Sequence, residues 1–174
     1  MIVDGRVTVP GDKSITHRLL LLAGLSPGRS RIGSPLASHD ARSTASLLRA
    51  LGAKISPLKV GGDVVVEGRK RFLAPRTVLN CGNSGTTTRL SLGLLAAHDF
   101  RARLSGDPSL RRRPMKRVTE PLTLMGARFD GKDPDHLPFS IRGGPLRSIE
   151  WELPVSSAQI KGCLLLAGVA ADCA

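Results

Sequence analysis

Three stretches of the chain change from polar to solidly apolar in much the same way. VPGDKSITHRLLLLAGL from Val9, NCGNSGTTTRLSLGLLAA from Asn80 and PVSSAQIKGCLLLAGVA from Pro154 each run from a hydroxyl- or glycine-bearing segment into a block of leucine and alanine. Such a switch predicts a binding loop that feeds the N-terminus of a buried helix. The starts Pro10, Asn80 and Pro154 lie 70 and 74 residues apart, which marks an internal repeat.

The polar and apolar positions between these stretches fill in a unit. Arg6–Val9 (RVTV) predicts a short strand ending at Pro10, and Ser14 or Thr16 is placed to cap a helix reaching Leu25, closed by the Ser26-Pro27-Gly28 turn. A strand follows around Ser30–Gly33. Ser38 then caps a second helix, His39–Leu51, whose apolar residues Ala41, Ala45, Leu48 and Leu51 keep helical spacing, with Gly52 as its C-terminal cap. Ala53–Ile55 and Asp63–Glu67 read as strands joined through Gly61-Gly62.

The same plan returns in the second unit. It has an Asn80–Thr88 loop, an Arg89–Ala97 helix, a Phe100–Leu104 strand and a charged Gly106–Arg113 loop. Pro114 stands in the first turn of a helix that ends at Met125 and is capped by Gly126. LRALGAKI at Leu48 matches LTLMGARF at Leu122, and each is followed by a strand closing in glycine, VVVEG and FSIRGG. The unit therefore reads strand, helix, strand, helix, strand, strand. A third copy opens with strand Ile149–Leu153 and helix Ser157–Val169. The repeats run over about 7–75, 76–147 and 148–174, the last incomplete. A lone opening of a unit, with a face made for strands it lacks, is expected to need a partner.

Composition narrows the setting. Four Phe, one Trp and no Tyr leave the core to aliphatic residues and offer few platforms for stacking bases. A formal charge of +12 on 174 residues calls for anionic company. Cys81, Cys163 and Cys173 have no metal-ligand spacing and read as reduced thiols of a cytoplasmic protein. The apolar run Leu19–Leu25 is too short to span a bilayer, and so few residues precede the first loop that the mature chain is expected to begin where the sequence does.

The chemistry-bearing residues gather at the three loops. Lys13, Ser14 and Arg18 converge near the first helix start, Ser14 and Arg18 sharing a face four residues apart. GDKS lacks the earlier glycine of a Walker loop. Asn83, Gly85, the Thr86–Thr88 hydroxyls and Arg89 pack amide, hydroxyl, backbone and cation together, with Gly82 and Gly85 permitting close approach of a ligand. Within Arg111-Arg112-Arg113, Arg113 before Pro114 is best placed to present a fixed guanidinium fork. Ser156 and Ser157 with Ala158 and Gln159 form a third helix-start anion site. His39, His98 and His136 read as surface or cap residues. None of these clusters supplies a convincing general acid or base.

PGDKSITHR at Pro10, GNSGTTTR at Gly82, GDPSLRRRPM at Gly106 and LPVSSAQIKG at Leu153 closely resemble the 5-enolpyruvylshikimate-3-phosphate synthase family, four motifs in order over about residues 7–170. The resemblance implies an inside-out α/β domain with helices within and sheets outside, the substrate cleft lying against a second domain that is absent. It implies transfer of the enolpyruvyl group of phosphoenolpyruvate to the 5-hydroxyl of shikimate 3-phosphate, with no cofactor and no metal. Carried over residue by residue, Lys13 contacts both substrates and is catalytic. Ser14, Arg18, Ser157, Ala158 and Gln159 hold shikimate 3-phosphate; Asn83, Gly85 and Arg113 line the phosphoenolpyruvate side; Arg89 supports. The family's catalytic carboxylates belong to the second domain, so turnover is expected only with a C-terminal half; the chain is either one subunit of a split enzyme, its C-terminal half a separate chain, or a truncated product. Gly85 stands where some glyphosate-tolerant members carry alanine, and Leu90 where the better-known sensitive class has proline, which leaves tolerance open.

Two other readings stay beside it: a fragment of the related UDP-N-acetylglucosamine enolpyruvyl transferase, and a nonenzymatic nucleic-acid binder using Arg111–Arg117. Ser14 and the His17-Arg18 pair weigh against the first, and the lack of aromatic partners against the second. The expectation is no nucleic acid, no membrane, and small anionic substrates.

Overall fold

The structure is a computed structural model describing residues 4–7, 9–153 and 155–171. Its first unit holds helix α1 (Lys13–Leu25), strand β1 (Gly28–Ile32), helix α2 (His39–Ala50) and strands β2 (Lys54–Ile55) and β3 (Val64–Gly68). The second holds β4 (Leu79–Asn80), α3 (Gly85–Ala96), β5 (Arg101–Ser105), the single turn α4 (Pro108–Arg111), α5 (Lys116–Met125), β6 (Arg128–Asp130) and β7 (Phe139–Arg142). Helix α6 (Ala158–Ala171) follows.

The two units are wired alike. In the first sheet β3 lies between β1 and β2, and in the second β7 lies between β5 and β6, every one of these pairs antiparallel. β4 adds a short parallel edge, Leu79 opposite Leu104. Both central strands end in a glycine that receives the C-terminus of the unit's first helix. A Cβ on Gly68 would overlap the carbonyl oxygens of Ala23, Gly24 and Ser26, and one on Gly143 those of Leu95, Ala96 and His98. That is why both strands close in glycine: only a bare Cα lets the sheet meet the helix end so closely.

Strand alternation turns Val64, Val66, Ala102, Leu104, Phe139 and Ile141 inward, and leaves Arg29, Arg31, Arg101, Arg103 and Arg142 outside. The helices occupy the interior. Helix α3 is buried along its whole length except at Thr86 and Arg89. It holds its buried hydroxyls by back-bonding: Thr88 Oγ1 donates to the Ser84 carbonyl at 3.0 Å and Ser91 Oγ to that of Thr87 at 2.6 Å. Gly93 lets α6 lie directly against α3, since a Cβ there would overlap the Cys163 carbonyl.

Several expected boundaries move. Asp12, rather than Ser14 or Thr16, caps α1, its Oδ1 accepting the Ile15 N–H at 2.7 Å. Helix α3 begins at Gly85 rather than Arg89, because Ser84 accepts the Thr87 N–H and the threonine run joins the helix instead of looping. The charged loop contains the turn α4, so Pro114 falls in the link before α5, not in its first turn. His98 is buried, bonded to the Leu94 carbonyl at 2.8 Å and stacked on Phe72, rather than lying on the surface.

Neither expected opening strand forms among the described residues. Arg6, Val7 and Val9 are irregular and exposed, and Thr8 lies outside the described residues. Ile149–Leu153 is irregular too, held by Ile149 and Leu153 packing on the core. Both lack a neighbouring strand among the described residues, and a strand without a ladder partner does not persist. Pro154, which opens the third repeat motif, and Cys173 also lie outside the described residues.

Gly93→Ala should lower stability by about 3 kcal/mol, because backbone rather than a mobile side chain blocks the methyl. Gly144→Ala, open on all sides, should change it by less than about 0.5 kcal/mol. Urea denaturation of both variants checks this, and equal effects would contradict the packing of α3 on α6.

Candidate functional site

Helices α1, α3 and α6 start from Asp12, Ser84 and Ser157, whose side chains accept backbone N–H groups of their own first turns. Capping uses one orphan amide at each end and leaves the positive pole of the helix in place. Around these starts lie all the residues expected to bind substrate.

At α3 the two residues not buried, Thr86 and Arg89, both turn to Gln159 on α6. Arg89 donates through Nη1 to Gln159 Oε1 at 3.0 Å and through Nη2 to the Pro114 carbonyl at 2.9 Å, while Gln159 Nε2 donates to Thr86 Oγ1 at 3.0 Å. One guanidinium thus clips α3 to α6 and to the arginine loop. Gln159 is committed on both sides of its amide. Arg113 reaches the same place from the loop, its Nη2 donating to Asn83 Oδ1 at 2.6 Å. A Cβ on Gly85 would lie 2.9 Å from Arg89 Nη1 and 3.5 Å from Arg113 Nη1, so both cations flank the bare backbone at the helix start.

The cradle is crowded with like charge. Burial lowers the pKa of Arg89, and the charges of Arg113 and Arg117 push it further in the same direction. Guanidinium stays charged regardless. Among the described residues no carboxylate pairs with Arg89 or Arg113.

On the other flank Arg18 donates to the carbonyls of Ser14 at 3.1 Å and Ala158 at 3.2 Å, tying α1 to the start of α6. Lys13 is half-exposed and pairs with Asp40 at 3.3 Å. The structure therefore brings together Asn83, Gly85, Arg89, Arg113 and Gln159, and separately Arg18 with Ser14 and Ala158. Lys13 stands against α2.

Beneath Lys13 runs a buried chain that the sequence did not disclose. His17 Nδ1 meets Thr44 Oγ1 at 2.7 Å, Thr44 meets Thr87 Oγ1 at 2.8 Å, and Thr87 reaches Ser84 Oγ at 2.8 Å and the Asp40 carbonyl at 3.2 Å. The single Thr87 hydroxyl proton has both Ser84 Oγ and the Asp40 carbonyl in reach, so the direction of the chain is coupled to the tautomer of His17. His17 Nε2 is buried and has no partner among the described residues. Burial is the main reason that the His17 pKa falls from 6.5 to about 4; Lys13 and Arg18 lower it further and Asp40 opposes. Of the residues whose part the sequence did not disclose, His17, Asp40, Thr44 and Asp107 act through partners distant along the chain, whereas Asp12 caps its own helix through the Ile15 N–H.

Two concavities flank this region. A groove of about 450 Å³ between α2 and the Asn80–Asn83 loop includes Asp40 and Asn83. A larger one, about 1020 Å³, lies on the outer face of the second sheet among Arg76, Arg101, Arg103, Lys132 and Phe139, and contains none of the expected residues. The helix starts, where Arg89 and Arg113 have no ion-paired carboxylate among the described residues, mark the site better than size does, because the outer groove does not sit on them.

The run Arg111–Arg113 is not a free basic face: Arg111 bonds the Gly106 carbonyl at 2.7 Å and Ser105 Oγ at 3.1 Å. Among the described residues no group of three His, Cys, Asp or Glu is placed to hold a metal, and no helix is long and apolar enough to cross a membrane.

Residues 2–173 match the family described as EPSP synthase (3-phosphoshikimate 1-carboxyvinyltransferase). The chain belongs to the EPSP synthase family. It is 52% identical over 171 residues to a 3-phosphoshikimate 1-carboxyvinyltransferase of Thermus thermophilus, covering 97% of this chain and 40% of that one. With the enzyme of the same name from a Synechococcus species the identity is 50% over 174 residues, covering 98% and 40%. An EPSP synthase structure from Acinetobacter baumannii superposes with a TM-score of 0.89 at 40% identity, over 94% of this chain and 38% of that one. The chain thus spans about 40% of the length of the curated relatives it matches, and its α/β architecture is that of EPSP synthase.

Stability should fall as pH drops from about 6.5 to about 4, since His17 takes up its proton more readily unfolded than folded. The loss attributable to His17 is about 3 kcal/mol. His98, also lowered by burial, adds to it, whereas Asp63, Asp107 and Asp133 lose their contribution only below 3.8. Denaturant titration across this range should give a flatter slope for His17→Asn; an unchanged slope would contradict the buried neutral histidine.

Proposed function

We propose that the chain is the N-terminal part of a 3-phosphoshikimate 1-carboxyvinyltransferase, completed by a C-terminal half on a separate chain. The observation that carries this reading is the crowding of Arg89, Arg113 and Arg117 at the capped start of α3, beside Gly85, with no carboxylate ion-paired to Arg89 or Arg113 among the described residues. Such a cradle relieves its own repulsion by taking up an anion, and helix amides add to the pull.

Phosphoenolpyruvate lies against Asn83, Gly85 and Arg113, with Arg89 bracing the loop. Shikimate 3-phosphate lies across Ser14, Arg18, Ser157, the Ala158 amide and Gln159, and Lys13 leaves Asp40 to stand between the two anions. The methylene carbon of phosphoenolpyruvate gains a proton while the 5-hydroxyl oxygen bonds to C2, giving a tetrahedral ketal phosphate. Loss of phosphate and of a methyl proton then restores the double bond. Lys13 and the arginines stabilise the anionic groups throughout; the proton-transfer groups come from the second half.

The face left for that half is apolar. Ile15, Leu19 and Leu22 on α1 are 59%, 42% and 43% exposed, and Leu165 and Val169 on α6 are 64% and 57% exposed. With the unladdered 149–153 segment, they suit elements continuing the third unit. The assembled enzyme acts in the cytoplasm, in keeping with Cys81 and Cys163 being free and buried. The UDP-N-acetylglucosamine reading needs a reactive cysteine, yet burial pushes the Cys81 thiol up to about 11.

Mixed with the remaining part of the Thermus enzyme, the chain should release phosphate from phosphoenolpyruvate and shikimate 3-phosphate, and alone it should not. Lys13→Ala should cut the reconstituted rate by a factor on the order of 100 or more. Phosphate release unaffected by Lys13→Ala, or none with any cognate half, would refute the proposal.

A further inference from the structure

Arg113 is held by a relay whose far end is a carboxylate. Asp107 caps α4, its Oδ1 accepting the Leu110 N–H at 2.7 Å, and its Oδ2 accepts Asn83 Nδ2 at 2.6 Å. Its own N–H donates to the Gly82 carbonyl at 2.9 Å, fastening the two loops side by side. The Leu110 amide, foremost, and the Asn83 amide hold the Asp107 carboxyl below its ordinary range, so it is ionised at neutral pH.

An ionised carboxylate can only accept. Asn83 must therefore present its NH₂ to Asp107, and the opposite side of the planar amide, Oδ1, faces Arg113. The roll of the amide is set by its partner, not by Asn83 itself. Asp107 and Arg113 lie at either end of α4, yet no direct ion pair between them is formed among the described residues. A neutral amide stands where a salt bridge would otherwise close.

The geometry points to Asp107 as a positioning residue of the cradle: through Asn83 it fixes the guanidinium fork of Arg113, while the amide keeps the carboxylate from occupying the fork's donors. A direct Asp107–Arg113 pair would orient the guanidinium equally well but occupy the donors that an incoming phosphate or carboxylate needs. This inference rests on the reading of the cradle as an anion site. The orientation it describes is measurable without any ligand.

Three variants of the full chain separate orientation from charge. Asp107→Asn keeps a capping oxygen for Leu110 but turns an NH₂ toward Asn83, which must roll over and point its own NH₂ at Arg113. Asp107→Ser keeps a cap that does not reach Asn83, and guards against a folding defect in the first variant. Combining Asp107→Asn with Asn83→Asp restores acceptors for both the residue 107 amide and Arg113, at the cost of pairing the guanidinium with a carboxylate. The readouts are the Asn83 side-chain amide and Arg113 guanidinium resonances by NMR, and titration with phosphoenolpyruvate and with inorganic phosphate.

Both single variants at position 107 should release the Arg113 signal into fast exchange and weaken binding of the probes about tenfold. The double variant should recover the slowly exchanging Arg113 signal without recovering affinity. Arg113 resonances unchanged in both single variants would overturn the relay, and wild-type affinity in the double variant would overturn the role of the neutral amide. If the wild-type chain binds neither probe, the anion-site reading fails and this role for Asp107 fails with it, while the resonances still decide whether the hydrogen-bond relay exists.

Discussion

The structure depends on the burial of α3. A helix enclosed on nearly every side has no free choice of rotation or height, so whatever stands at its N-terminus is placed with the accuracy of a packed core. Gly93 brings α6 against it, the back-bonded threonines let its polar first turn enter the interior, and Gly143 receives its C-terminal end. Thr86 and Arg89, the two residues that escape burial, are those that engage Gln159. The site is an outgrowth of the packing.

Much of this was legible in the sequence because the repeat reports on itself. Three polar-to-apolar switches and matched strand endings give the order of elements, and the paired glycines Gly68 and Gly143 have a common cause in the helix ends they meet. The loops also carried the family motifs, which named candidate residues before their geometry was seen. What the sequence hid were contacts between segments distant along the chain. Thr44 reads as an ordinary helix threonine and Thr87 as a loop hydroxyl until α2 and α3 meet, and Asp107 reads as part of a charged loop until Asn83 is beside it. The two opening strands were misjudged for a related reason: local propensity favours them, but a strand exists only with a neighbour.

Seen together, the cations fall into two sets. Arg18, Arg89 and Arg111 spend their donors on backbone or amide oxygens and serve to hold loops and helices. Arg113 and Lys13 are held more lightly, by one neutral amide and one half-exposed carboxylate, and they border the space between the helix starts.

Mapping the amide chemical-shift changes caused by shikimate 3-phosphate tests this account most directly. The changes should cluster at residues 12–18, 83–89 and 157–159, where three helix starts face one region. Changes concentrated around Arg76, Arg101, Arg103 and Lys132 on the outer face of the second sheet, or no changes at all, would contradict it.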